Sequence, residues 1–543
     1  MTAGRAAWIG FGAVACLGAG AIGATRYYQG GLPRYQRPVV PPRPPGRAPR
    51  GPATGPLTRH VSNPRYFADA TGRPVVLTGD HTWSNFQDNG FGDPPPRFDY
   101  DAYLDFLAAH NVNFIRLWRW ENTRWAPWVR TNDYYFEPGP YRRTGPGTAL
   151  DGKPRFNLDS LDPAFFARMR ERVEQAGQRG VYVSIMLFNA WSIDNTHSQL
   201  NRGNPWRGHP FNRANNVNGV DGDTNHDDQG SETHEAVGTK VTAYQDAYVR
   251  RVIDAVNDLD NVLYEISNES YSPSREWQYH MINLIHDYEK GRAKHHPVGM
   301  SQYQWPGRDA DLFDSPADWV SPWEELPAYP YRDNPRVSDG KKVVIVDTDH
   351  LWGIGGTRAW AWKNFMRGNN PSFMDGYDGA SEGGGAPIPW DVRLMGWKDI
   401  VNDVLGRTPR DTGWRPNSPQ WVSLRANLGY IEDFAQRVNL AAMEPRSALS
   451  STGYCLAYAR TSDAEYLIYV PDGSKPVEVD LSGFRGQLSV EWFDPQTANT
   501  AKAEPVAGGA KRRFESPYRG DAVLYLRSQD TAEVPGTRTR SRG

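Results

Sequence analysis

Two stretches of the chain close an apolar run with carboxyl groups. Asn261-Val-Leu-Tyr-Glu-Ile-Ser-Asn-Glu269 reads as a buried strand ending in an Asn268-Glu269 pair. Val343-Val-Ile-Val-Asp347-Thr-Asp349-His350-Leu-Trp352 repeats the pattern with two aspartates two positions apart. A carboxyl at the C-terminal mouth of a parallel strand can donate a proton, and an amide just before it can hold a hydroxyl. Two carboxyls facing each other across a glycosidic bond can cleave it. At about 5–5.5 Å one is the nucleophile and the other the acid/base, while a wider gap admits water and inverts the product. Glu269 is predicted to be the acid/base and Asp347 or Asp349 the nucleophile, with retention expected. Either segment alone could be a loop start or a helix cap, so the prediction rests on their combination.

These groups need a scaffold that brings strand tips together. Strands are predicted at Pro74–Gly79, Asn113–Trp118, Val181–Phe188, Val262–Ile266, Val298–Gln302, Trp319–Ser321, Val343–Val346 and Ser372–Met374. Helical patterns at Tyr100–His110, Pro163–Gly180 and Thr239–Asp258 fall between them, the second capped by Asp162 with Pro163 in its first turn. Eight alternating units predict an α/β fold, a (β/α)8 TIM barrel, whose strand ends share one face. No Gly-rich phosphate turn follows the first strand, as an open nucleotide-binding sheet would have. The polar and aromatic residues converging there would be Asp80, His81, Trp83, Arg116, Trp118, Asn189, Trp191, Asn268, His350 and Trp352, proposed as substrate contacts. Glu265 lies on the Glu269 side of its strand, either tuning it or pairing with a basic residue.

The 543 residues exceed one ordinary domain. Residues 1–29 read as a signal peptide or membrane anchor, with Arg5 before an apolar stretch. Residues 30–58 are a Pro/Arg/Gly-rich linker, 59–445 the barrel, 446–528 a small C-terminal β-sandwich and 529–543 a disordered tail. The protein is therefore expected outside the cytoplasm, secreted or held at the membrane by its N-terminus. A net charge of −2 gives no footprint for nucleic acid. The 20 Trp and 27 Tyr suit both packing and stacking on sugar rings, so a carbohydrate is the expected partner. Beyond the leader only Cys455 remains, which excludes an intramolecular disulfide and cysteine-based zinc sites.

Oxygen donors alternate at Asp221, Asp223, Asn225 and Asp227, with Glu232 twelve residues along, counting Asp221 as the first. That spacing suits a structural Ca²⁺, although His226 occupies the position where a calcium loop turns on glycine. No cofactor is needed for two-carboxyl chemistry. Two alternatives remain: a binding protein whose barrel lacks catalysis, and a metal-dependent hydrolase using His81, His226, His234 and His350, for which no ligand spacing argues.

The stretch Asn63-Pro-Arg-Tyr-Phe-Ala-Asp-Ala-Thr-Gly-Arg-Pro-Val-Val-Leu-Thr-Gly-Asp80-His-Thr-Trp83 resembles the opening of the apiosidase-like glycoside hydrolases. Asn427-Leu-Gly-Tyr-Ile-Glu-Asp-Phe-Ala-Gln-Arg-Val-Asn-Leu440, Gly453-Tyr-Cys-Leu-Ala457 and Trp492-Phe-Asp-Pro495 resemble that family's barrel end and its C-terminal module, often labelled collagen-binding. The resemblance implies that Glu269, in its Asn-Glu pair, is the acid/base, that Arg116 keeps the nucleophile ionised, and that apiose-bearing pectin is the substrate to consider. It also marks a departure, because the family's clan uses Glu as nucleophile where this chain has Asp347 and Asp349.

Overall fold

A computed structural model describes residues 50–529, apart from 127–132, 194–202, 302–307, 324–329, 378–416 and 418. The leader, most of the linker and nearly all of the tail lie outside the described residues.

Eight parallel strands close into a barrel: β1 Gly79–His81, β2 Phe114–Leu117, β3 Tyr182–Asn189, β4 Val262–Asn268, β5 Val298–Ser301, β6 Trp319–Ser321, β7 Val343–Asp347 and β8 Asn370–Met374. Closure comes from β8 pairing with β1, Ser372 lying opposite Gly79. The helices that cover it include α1 Tyr100–Ala109, α2 Pro163–Gln178, α3 Lys240–Val256, α4 Arg275–Glu289, α5 Asp309–Phe313, α6 Arg358–Met366 and α7 Pro419–Arg437. Local chemistry sets their starts. Asp162 accepts from the Ala164 amide with Pro163 in the first turn, and Thr239 and Thr242 cap α3 reciprocally.

The first strand departs from expectation. Pro74–Val75 belongs to a small antiparallel sheet with Thr58–Arg59 and Phe67–Ala68, and the barrel strand starts only at Gly79. Leu57, Phe67 and Leu77 close the barrel floor against Phe114, Tyr182, Leu263, Trp319, Val343 and Ile345, which come from the early positions of their strands. Gly299 pairs with Trp319, and a Cβ there would stand 1.8 Å from the indole. The missing side chain lets that ring occupy the barrel.

Between β3 and α3 the chain makes a long excursion that is packed. Trp206, Phe211, Val220 and Val241 share a satellite core with Tyr141, Phe156 and Leu158 of the hairpin Tyr141–Thr148/Pro154–Leu161. Gly230 is required there, because its Cβ would meet the Trp206 ring at 2.2 Å.

The C-terminal module is antiparallel. Six strands run in the order β9 Glu444–Pro445, β10 Cys455–Ala459, β11 Ala464–Val470, β16 Ala522–Ser528, β13 Gln487–Phe493 and β14 Thr500–Ala507. A ribbon of β12 Val477–Asp480 and β15 Lys511–Phe514 packs on them through Val477, Val479 and Phe514. The sheet's other face joins the barrel's own core through Leu467, Tyr469, Phe493 and Val523. Arg358 of α6 forks onto Asp521, Tyr469 donates to the same carboxylate at 3.0 Å, and Trp362 stacks on Tyr469. A shared apolar core with a part-buried ion pair makes this module part of the barrel's support.

Candidate active site

Alternation along β2 buries Phe114 and Arg116 inside the barrel, while Ile115 and Leu117 join the core beneath the helices. The Arg116 guanidinium is the hub. Its Nε and Nη2 fork onto Glu265 at 2.8 and 2.6 Å, and Nη2 also reaches Asn268 Oδ1 at 2.7 Å. Nη1 reaches Asp347 Oδ2 at 3.4 Å and Asp349 Oδ2 at 3.2 Å. Burial works against its charge, but Glu265 and then Asp347 outweigh it, so Arg116 stays protonated. Of the two roles open to Glu265, the geometry realises the pairing with a barrel arginine.

The two aspartates divide into different environments. Asp347 ends β7, where His81 Nε2 meets its Oδ2 at 2.8 Å and the Asp349 amide donates to its Oδ1 at 2.9 Å. Burial pushes its carboxyl up, yet the His81 and Arg116 charges prevail and hold it well below the usual range. Both its oxygens are engaged and it is 1 % exposed. The strand stops there, so Asp349 does not continue the extended alternation; it opens the one-turn helix Asp349–Trp352. It is 8 % exposed, with Oδ2 on Arg116 and His350 Nε2 at 3.8 Å. Burial first, and the charge of Glu269 second, raise the Asp349 carboxyl well above its ordinary value. His350 bridges Ser321 Oγ at 3.1 Å and Asn268 Oδ1 at 3.3 Å, and burial followed by Arg116 lowers it to about 3, leaving a neutral ring.

Glu269 follows β4 in a left-handed conformation, φ 50°. That conformation costs a non-glycine residue about 1–2 kcal/mol and concentrates strain at the carboxyl's backbone. Trp191 Nε1 donates to Glu269 Oε2 at 2.5 Å. Trp191 is itself placed by Asn189, whose Oδ1 accepts the Trp191 amide at 3.2 Å and whose Nδ2 donates to the Arg119 carbonyl at 3.1 Å. Asn189 is thus a positioning group, fully buried, and not the substrate contact expected from the sequence.

Behind it sits a residue the sequence reading missed. Glu121 Oε1 accepts the Asn189 amide at 2.8 Å and faces His234 Nε2 at 3.1 Å; the other His234 nitrogen meets Ser270 Oγ at 3.3 Å. One carboxylate therefore meets both Asn189, which ends β3 and places Trp191, and His234, which meets Ser270 next to Glu269 in the chain. Burial pushes Glu121 up, but His234 and Arg119 overcome it and keep it well below the usual range. The only sequence signal is the aromatic–charge alternation Trp118-Arg119-Trp120-Glu121.

The remaining candidates separate. His81 stacks on Trp118 with centroids 5.6 Å apart, Arg116 lies 5.0 Å over the Trp118 ring, and Trp83 flanks that ring at 6.2 Å. Asp80 is not in this group. With β1 starting at Gly79, His81 faces the barrel axis and Asp80 the helices, where Arg425 lies at 3.9 Å and also pairs with Asp375. Trp352 packs edge-on against Trp360, with Arg332 over it. In the acidic loop, Asp223 accepts the Asp227 and Asp228 amides, Asn225 that of Asp227, Asp227 that of Gln229 and Asp221 that of Asp223. The alternating oxygens thus fold their own turns. Among the described residues no three His, Cys, Asp or Glu gather as a metal site. His81 and His350 lie in the barrel, His234 stacks on Trp277, and His226 sits exposed at φ 62°.

Residues 110–315 match the model of a domain of unknown function (DUF6298), and residues 448–527 match that of a "putative collagen-binding domain of a collagenase". No curated protein matches the chain. Among solved structures, it is similar to a family 5 glycoside hydrolase from Bacteroides vulgatus at 13 % identity, over 89 % of this chain and 97 % of that one, with TM-score 0.54. A second protein described as a glycoside hydrolase has 12 % identity over 87 % and 97 % of the two chains, TM-score 0.52. A third, titled a "putative glycoside hydrolase" from Bacteroides vulgatus, has 12 % identity over 87 % and 82 %, TM-score 0.52. The likeness at these identities is one of fold.

Proposed function

We propose that the protein is a retaining glycoside hydrolase with Glu269 as acid/base and Asp349 as nucleophile. The observation that carries this reading is the pair itself: two carboxyls from different strand tips, close enough that Glu269 raises Asp349, with Arg116 within hydrogen-bond distance of Asp349. Asp349 attacks the anomeric carbon while Glu269 protonates the departing oxygen; Glu269, now ionised, deprotonates the water that releases the sugar. Arg116 stabilises the attacking carboxylate. Asp347, with both oxygens occupied, keeps Arg116 and the Asp349 amide in place. Trp191 steers the acid/base and is half-buried, so its outer face can carry a sugar ring.

An apiose-bearing pectin is the first substrate to test, from the resemblance of Asn63–Trp83 and the Asn268-Glu269 pair. Action outside the cytoplasm follows from reading residues 1–29 as a leader. Turnover of a panel of aryl glycosides and polysaccharides, with E269Q and D349N as controls, tests the assignment. Loss of turnover in both variants supports it, and wild-type turnover in either refutes it.

A further inference from the structure

Outside the barrel, between α1 and α2, lies a cavity of about 650 Å³ lined by Arg97, Phe98, Tyr100, Arg168, Glu171 and Arg172, with the first turn of α1. Arg172 is only 7 % exposed. Its guanidinium lies 4.2 Å from the Tyr100 ring centroid and 5.9 Å from that of Phe98, its Nε is buried without a hydrogen-bond partner, and no carboxylate among the described residues pairs with it. Of the neighbouring acids, Glu171 is exposed at the cavity's edge, where Gln175 donates to it at 3.4 Å, and the others are committed elsewhere. Asp88 takes both ends of the Arg168 fork at 2.9 and 2.7 Å, Asp99 caps α1 at the Ala102 amide, and Asp101 pairs with Arg179 at 3.3 Å. Burial, and then Arg168, lower the Arg172 guanidinium to about 10. A buried cation without a counter-charge is unfavourable, and here it faces open space beside a second arginine fork and a helix N-terminus.

We propose that this cavity binds an oxoanion group, with Arg172 as the ligand that meets it. A planar guanidinium takes a carboxylate or sulfate in a two-point fork. The volume is that of a small-molecule pocket, and the half-buried Phe98 ring suits an apolar ring face, so the favoured occupant is the carboxylate of an acidic sugar. The sugar part of this assignment rests on the hydrolase reading; the anion part does not.

Isothermal titration of the full chain at low salt, using glucuronate, sodium sulfate and glucose separately, tests it. Saturable glucuronate binding is expected, abolished or weakened at least tenfold in R172M, weakened about threefold in R97A, with glucose silent. Arg97 is exposed, so that variant carries little folding risk. Sulfate binding without glucuronate binding overturns the sugar assignment, and silence to both anions, or unchanged binding in R172M, overturns the site. E269Q is expected to lose turnover and keep this binding, which separates failure of the one proposal from failure of the other.

Discussion

Replacing Arg116 with Met removes the cation shared by Glu265, Asp347 and Asp349. Deleting one partner of a buried ion pair costs about 3–5 kcal/mol, because the remaining charge is stranded. Glu265 loses both ends of its fork, although Ser301 still donates to it, and Asp347 keeps His81, so the cost concentrates on Glu265 and Asp349. Domains of about 150–250 residues lose about 2–4 °C of Tm per kcal/mol, and this larger chain should respond less steeply, so R116M is expected to melt about 5–10 °C lower. Arg116→Lys separates stability from chemistry. A single ammonium retains the charge but cannot fork Glu265 while reaching Asp349, so most of the lost stability returns. Turnover is expected to stay about 10²–10³ below wild type, the usual effect of losing a donor aimed at developing charge. Thermal melts and aryl-glycoside turnover of both variants decide the matter. An R116M melt within a degree of wild type, or full turnover in R116K, would refute the hub.

Further outcomes follow from the same geometry. The Glu269–Asp349 pair should give a bell-shaped pH–rate profile whose acid limb lies above the ordinary carboxylate value of about 4, because Asp349 must be ionised to attack and is raised. Asp80 is raised chiefly by burial, then by Asp375, so its stabilising contribution is present below the unfolded value and lost as pH rises through the folded one. D80N keeps the neutral form, and its melting advantage over wild type should grow as pH rises above the ordinary carboxylate value of about 4. Asp347 is depressed, so its contribution is present above the unfolded value and fades as pH falls; D347N should flatten the acid side of the stability profile. E121Q should lower kcat with little change in KM and displace the pH–rate limb belonging to Glu269, whereas a merely structural defect would lower Tm and leave the limb in place. EDTA is expected to leave turnover unchanged, and a loss restored by calcium would assign the acidic loop a role in activity.

Much of the scaffold was legible because strand tips carry their chemistry next to apolar runs. Glu269, Asp349 and Arg116 each close or line such a run, and their convergence follows from eight strands closing on one face. Asp80 and His81 are adjacent at the end of one apolar run, and the short strand Gly79–His81 turns His81 inward to Asp347 while Asp80 lies near Arg425. Glu121 escaped notice for a different reason. Its neighbours come from the end of β3 and the loop near 234, a set that no local spacing encodes. Likewise β14 and β15 alternate little: β14 is an exposed edge strand, and its polar residues hide its pairing with β13.

The most direct test is where a sugar becomes attached. E269Q, treated with an aryl glycoside bearing a good leaving group, should accumulate a glycosyl adduct visible in the intact mass and located by fragmentation on Asp349. An adduct on Asp347, or an inverted product with no adduct, would contradict the assignment of the two carboxyls.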